Sequence, residues 1–441
     1  MRDTVIDLGE VPAAGVGEPD PARPRRSLPY RRLLGPPALA LAVALGGAVP
    51  PPPPPPEPLT LPVTVRDSVR VEDGRIHVIG PGEELAGQPR SRRMMRYPVG
   101  SYTLPGLTPG PRWTLVLDGD VGFIGSGPGD LLLYSYQGDF EGGTAVAAVR
   151  PGSSEPVWNR EVFLYGLAPD RATALAFEAL TESFQDFVGL DTRTGATRWR
   201  VSRPAGGQMI VRDAQDRADF PERIYTLRPD GLIETWDTGT GRSAGTTRTT
   251  VPVDGRTQFW SAGGLLLVGH PDIGTVGYDG RDLTERWRAV PGLEENTYPY
   301  ACGIVICLTG RPGGLAAIDP ATGRDLWRND FWAFTQPIGD RLLVGVDDLI
   351  DPELAVLDPM TGRIVADVGP WRSGGSGPEP GTAWVYRIRS PDYQMRYGVL
   401  ELATGKVRVL GIAERIAGDC RFVTGVLVCR RLDSSVGVWR L

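Results

Sequence analysis

Four cysteines stand in two close pairs, Cys302 with Cys307 and Cys420 with Cys429, and His77 and His270 are the only histidines. Close pairing suits zinc, but nothing nearby supplies the remaining ligands, so disulfides are the better reading. Disulfides imply an oxidising compartment. Cys420 and Cys429 are centred on Thr424-Gly425. With a turn there, Val423 faces Val426, and alternation makes Cys420 and Cys429 a non-hydrogen-bonded pair, with Cα atoms about 4.5 Å apart. That separation is close enough for a disulfide. Cys302 and Cys307 share this parity about Ile304-Val305, a poor turn sequence. A four-residue loop starting at Gly303 is expected instead.

Other clusters offer less. Asp347, Asp348, Asp351 and Glu353 could ligate calcium, but their spacing fits no EF-hand loop, and a solvated loop is expected. Arg90, Arg92, Arg93 and Arg96 could touch anionic polymer or lipid headgroups and read as an exposed loop. Phe331, Trp332 and Phe334 read as packing rather than as a ligand platform. The stretch GRSAG, residues 241–245, sets Ser243 in a nucleophile-elbow pattern, yet no helical pattern comes after it. GSGPGD, residues 125–130, lacks the Lys-Ser/Thr of a phosphate loop. No catalytic, cofactor-binding or metal-binding residue is assigned. The net charge of −6 is small for 441 residues and gives no reason to expect nucleic acid.

The elements that would position these residues are repeats. With 58 Gly and 42 Pro, few windows can hold a long helix. LAAIDPATGRDLWR (315–328) is the clearest copy of a unit whose acidic marker recurs at Asp191, Asp237, Asp279, Asp319, Asp358 and Glu401. Gly195, Gly241, Gly323, Gly362 and Gly405 lie four residues after their markers, and Trp199, Trp287 and Trp327 eight after theirs. The offset of eight also gives Trp158 from Arg150, and YTLPGLTPGPRW (102–113) is a stretched copy, so the units centre on eight positions. Asp opens a tight turn by accepting backbone N–H bonds, and Gly supplies its positive φ. Apolar runs between markers, such as GLLLVGH (264–270) and DRLLVGV (340–346), add two strands to the two around each turn. Four strands per unit is a propeller blade. A β-solenoid is the alternative, without its usual short coil period.

The pattern A-x-D-x-x-T-G-x-x-x-W resembles the repeat of quinoprotein (pyrroloquinoline quinone, PQQ) dehydrogenases and their non-enzymatic relatives, over about 102–441. The resemblance implies a propeller with tryptophan docking between blades. A PQQ enzyme of that family would also carry a calcium site, a tryptophan floor, an aspartate base and often two adjacent linked cysteines. No Cys-Cys dipeptide exists here and no segment matches the calcium set, so neither PQQ nor calcium is expected.

The expected fold is all-β: an eight-bladed, alternatively seven-bladed, propeller of four-stranded blades over 61–441, with the C-terminal strands completing the N-terminal blade. Residues 1–32 read as a disordered cytoplasmic tail, the apolar 33–49 as a single transmembrane helix, and 50–60 as a proline-rich linker. Arg23, Arg25, Arg26, Arg31 and Arg32 precede the apolar stretch and place the chain beyond it outside the cytoplasm. A cleaved signal peptide is the alternative. The expected role is a membrane-anchored, extracellular, non-catalytic scaffold with an unknown protein or envelope partner. An extracellular enzyme or sugar-binding module using the channel is the runner-up.

Overall fold

The computed structural model describes residues 57–86, 94–137, 144–181, 184–211, 220–289, 297–310, 314–346, 352–389, 391–423 and 425–441. The chain divides into Met1–Pro54 and Pro55–Leu441, and every described residue belongs to the second unit.

The apolar runs between markers form strands buried on both faces. Leu265–His270 is buried at every position, and Leu315–Ile318 likewise. A strand covered on both sides has no polar face to alternate with. These strands belong to nine antiparallel sheets among the described residues. In chain order they are blade 1 (68–118), blade 2 (121–160), blade 3 (163–202), blade 4 (208–248), blade 5 (258–289), blade 6 (298–329), blade 7 (334–369) and blade 8 (372–413). Blade 9 takes its first three strands from 416–440, and the N-terminal strand Leu59–Leu61 supplies the fourth.

The core runs along the seams. Nine apolar clusters each join one pair of neighbouring blades, from Trp113, Leu115 and Tyr134 between blades 1 and 2 to Leu61, Ile76 and Val438 between blades 9 and 1. Because a seam also joins the last blade to the first, the ring is closed. A linear solenoid would leave its end blades without one.

Two expectations are corrected here. The ring has nine blades, not eight or seven. The strands Ser68–Glu72, Arg75–Ile79, Met94–Thr103 and Thr108–Asp118 complete blade 1 unaided, so the C-terminal strands are free to build a ninth. Leu59, Thr60 and Leu61 pair with Val438, Gly437 and Val436 and close it. Among the described residues the fold is all-β, and none of them forms a helix long and apolar enough to cross a membrane, so the expected transmembrane helix is not part of the described fold. The expected span, 33–49, lies outside the described residues.

Candidate functional site

Each marker sits at the turn between the third and fourth strands of its blade. The Asp191 carboxylate accepts the N–H groups of Arg193 and Thr194, both at 3.0 Å, and the Thr194 hydroxyl at 3.1 Å. The turn closes when the Gly195 N–H donates to the Asp191 carbonyl at 2.7 Å. Asp237, Asp319, Asp358 and Glu401 repeat that closure through Gly241, Gly323, Gly362 and Gly405. Each of these glycines has φ between 63° and 70°, where a side chain is strained.

The glycine has a second task. A Cβ on Gly195 would lie 2.8 Å from the ring of Trp158, one on Gly241 2.4 Å from Trp199, one on Gly323 2.3 Å from Trp287 and one on Gly362 2.5 Å from Trp327. Each tryptophan therefore lies on the bare turn of the next blade. Trp158, Trp287 and Trp327 also donate their indole N–H to the carbonyls of Thr192, Pro320 and Pro359, at 2.9, 2.8 and 2.8 Å. The small residue two places before the marker makes room beneath: Trp158 pairs with Ala148, Trp199 with Gly189, Trp287 with Gly277 and Trp327 with Ala317.

Between blades 4 and 5 the sizes are exchanged. Gly245 takes the tryptophan's place, and Leu283 takes the glycine's, four residues after Asp279, with φ 59°. The Leu283 side chain reaches back to within 3.9 Å of where a Gly245 Cβ would be.

Both cysteine pairs are joined, with Cα separations of 5.6 Å for Cys302–Cys307 and 4.1 Å for Cys420–Cys429. Val423 faces Val426 and Phe422 faces Leu427. The other hairpin differs from its expectation. Cys302 pairs with Val305, so the turn is the two residues Gly303-Ile304, and Cys307 lies opposite Tyr300. The bridge is diagonal, and Gly303 at φ 67° is what permits so tight a turn.

Among the described residues the remaining clusters do not come together as a site. Residues 347–351 of the acidic run lie outside the described residues, and Glu353 begins a strand. Arg90, Arg92 and Arg93 also lie outside them, while Arg96 is exposed on Met94–Thr103. Trp332 is buried in the seam between blades 6 and 7, and Phe331 stands exposed against it, with ring centroids 4.8 Å apart. Ser243 starts a strand, so the elbow pattern has no helix behind it.

The channel wall is built from the first strand of each blade. These strands are the innermost ones, since first strands of neighbouring blades approach one another around the ring. Phe163 and Tyr298 are 57% and 53% exposed there, and Trp260 meets Tyr298 edge-on, with centroids 5.5 Å apart. Arg70, Arg421 and Asp419 are the exposed charged side chains on these strands. Near them a cavity of about 630 Å³ lies at the seam of blades 9 and 1, lined by Asp67, Arg70, Asp419, Arg421 and Arg430. The wall aromatics escape notice in the sequence because they precede the markers at no fixed offset. Their only signal is one or two large rings opening a strand that is otherwise ordinary.

A family model described as outer membrane protein assembly factor BamB matches residues 142–367. The chain belongs to this family. The matched stretch runs from the third strand of blade 2 to the fourth of blade 7, the region where the turn motif is most regular. The BamB crystal structure from Moraxella catarrhalis is similar at 16% identity and a TM-score of 0.36, covering 73% of this chain and 98% of that one. The computationally designed Ika8 protein is similar at 14% identity and a TM-score of 0.40, covering 72% of this chain and 95% of that one. No curated protein matches.

Among the described residues no group of three or more His, Cys, Asp and Glu side chains gathers to hold a metal.

Proposed function

We propose that this chain is a non-catalytic scaffold that holds a protein partner against the axis-side wall of its propeller, outside the cytoplasm. The observation that carries the reading is the exposure of Phe163 and Tyr298 on innermost strands. Large rings held by a rigid sheet lose little entropy on contact and anchor interfaces well. Arg70 and Arg421 beside the wall supply the polar part of such a contact. Membership of the BamB family supports protein partners in general, and two cystines support an oxidising compartment.

The test is affinity purification of the full chain from its native envelope, beside a Phe163→Ser/Tyr298→Ser variant. Both positions are exposed, so the variant is expected to fold. A partner retained by the native chain and lost from the variant is the expected result. Equal retention by both would move the interface off the wall. Alkylation of unreduced protein checks the compartment: no cysteine should react, and four reactive thiols would place the chain in a reducing one.

A further inference from the structure

The seam between blades 1 and 2 carries a tryptophan but departs from the arrangement of the four seams docked by Trp158, Trp199, Trp287 and Trp327. Its tryptophan is Trp113, and the turn it should meet begins at Arg150, where blades 3 to 8 carry an acid. That turn closes from the Ser153 N–H to the Arg150 carbonyl, one residue short of the usual reach, so no glycine with positive φ stands four places on. Trp113 is 8% exposed, and its indole N–H is buried without a partner among the described residues. The Trp199 indole N–H has no partner either, yet its ring is seated on Gly241. Trp113 instead lines a cavity of about 720 Å³ together with Arg75, His77, Ser101, Pro111, Arg150 and neighbouring residues.

His77 lies deepest among the polar residues of this wall. It is 2% exposed, stacks on Phe123 at 4.1 Å, and has no partner for either ring nitrogen among the described residues. Burial, helped by Arg75, lowers its pKa to about 4, so the ring is neutral and keeps one donor and one acceptor. The guanidinium groups of Arg75 and Arg150 make no hydrogen bond or ion pair among the described residues. Of the acids on the wall, Asp73 is engaged by Arg171 through bonds of 2.6 and 2.8 Å, which leaves Asp130.

We propose that this cavity binds a small molecule that joins an oxyanion, carboxylate or phosphate, to a planar apolar body. The two guanidinium groups take the oxyanion, and the Trp113 indole N–H and a His77 nitrogen satisfy polar atoms deeper in. Pro111, Leu132 and the Trp113 ring receive the body. The volume suits such a ligand, since small-molecule sites run to roughly 300–1,000 Å³. The site is separate from the Phe163 and Tyr298 wall, so losing it would leave partner capture there unchanged.

Calorimetric titration of the full chain with benzoate, phenyl phosphate and the neutral benzamide tests this. Saturable binding of at least one anion and none of benzamide is expected, and the anion that binds identifies the group. Arg75→Gln and Arg150→Gln should each weaken that anion about tenfold or more. Arg150→Asp, which restores the acid found at other turns, should abolish binding while the chain stays folded by circular dichroism. Failure of both anions at millimolar concentration would overturn the proposal. So would equal binding of benzamide, or affinity unchanged in an Arg75→Gln/Arg150→Gln variant.

Discussion

Gly195, Gly241, Gly323 and Gly362 each serve two constraints at once, a left-handed backbone and a tryptophan lying directly on the Cα. The two can be separated. Gly339 also has a positive φ, 59°, but open space where its Cβ would be, whereas Gly323 has φ 68° and the Trp287 ring 2.3 Å away. Gly339→Ala should cost about 1 kcal/mol, from backbone strain alone. Gly323→Ala adds overlap with a docked ring and should cost about 2–3 kcal/mol. Denaturant midpoints compare the two, and equal losses would mean the ring is not seated on the turn. Leu283 shows that the pairing is of sizes rather than of residue types. With a glycine at 245, a leucine on the turn fills the seam from the other side.

At the scale of the element, the marker carboxylates of Asp191, Asp279, Asp319 and Asp358 are held below the usual carboxylate range. The Arg198 hydrogen bond does so for Asp191 and the Arg286 hydrogen bond for Asp279, while the hydroxyls of Thr322 and Thr361 do so for Asp319 and Asp358. A folded pKa lowered below the unfolded one gives stability that is complete above the unfolded value. It is lost as pH falls through the folded value. The thermal midpoint should therefore be level near neutrality and fall below about pH 4. Asp319→Asn should flatten part of that fall, and an unchanged slope would show that its turn is not held by charge. Both ends of each turn are local, which is why the motif could be read at Asp191, Asp319 and Asp358 with its hydrogen bonds foreseen. The two-residue turn at Gly303-Ile304 differs from the expected four-residue loop for the opposite reason. Ile304 is a poor turn former whose register is set by Tyr298–Cys302 pairing inside a blade.

For the whole molecule, closure rests on a short strand. Leu61 is 3% exposed and packs against Val426, Val428, Val436 and Val438, joining the start of the described chain to its end. Leu61→Asp should cost about 3 kcal/mol or more by burying a charge in that seam. It should also free the edge of Val436–Arg440 for self-association. Calorimetry and light scattering read both effects, and a variant as stable and monodisperse as the native chain would show that the ring closes without this strand.

The sequence by itself determined the blade type, the turn chemistry and the tryptophan docking between neighbours, because each depends on residues within one repeat or on contact with the next. It also carried the parity that brings Cys420 opposite Cys429. Only the tertiary structure decided the number of blades. In the ninth the third strand, Val436–Arg440, pairs with a fourth, Leu59–Leu61, that comes from some 375 residues earlier, so no marker turn joins them. A pairing between the two ends leaves no local signal. The cavity beneath Trp113 was hidden likewise: it exists because one turn fails to meet its neighbour, and a missing contact shows only when both partners are in place.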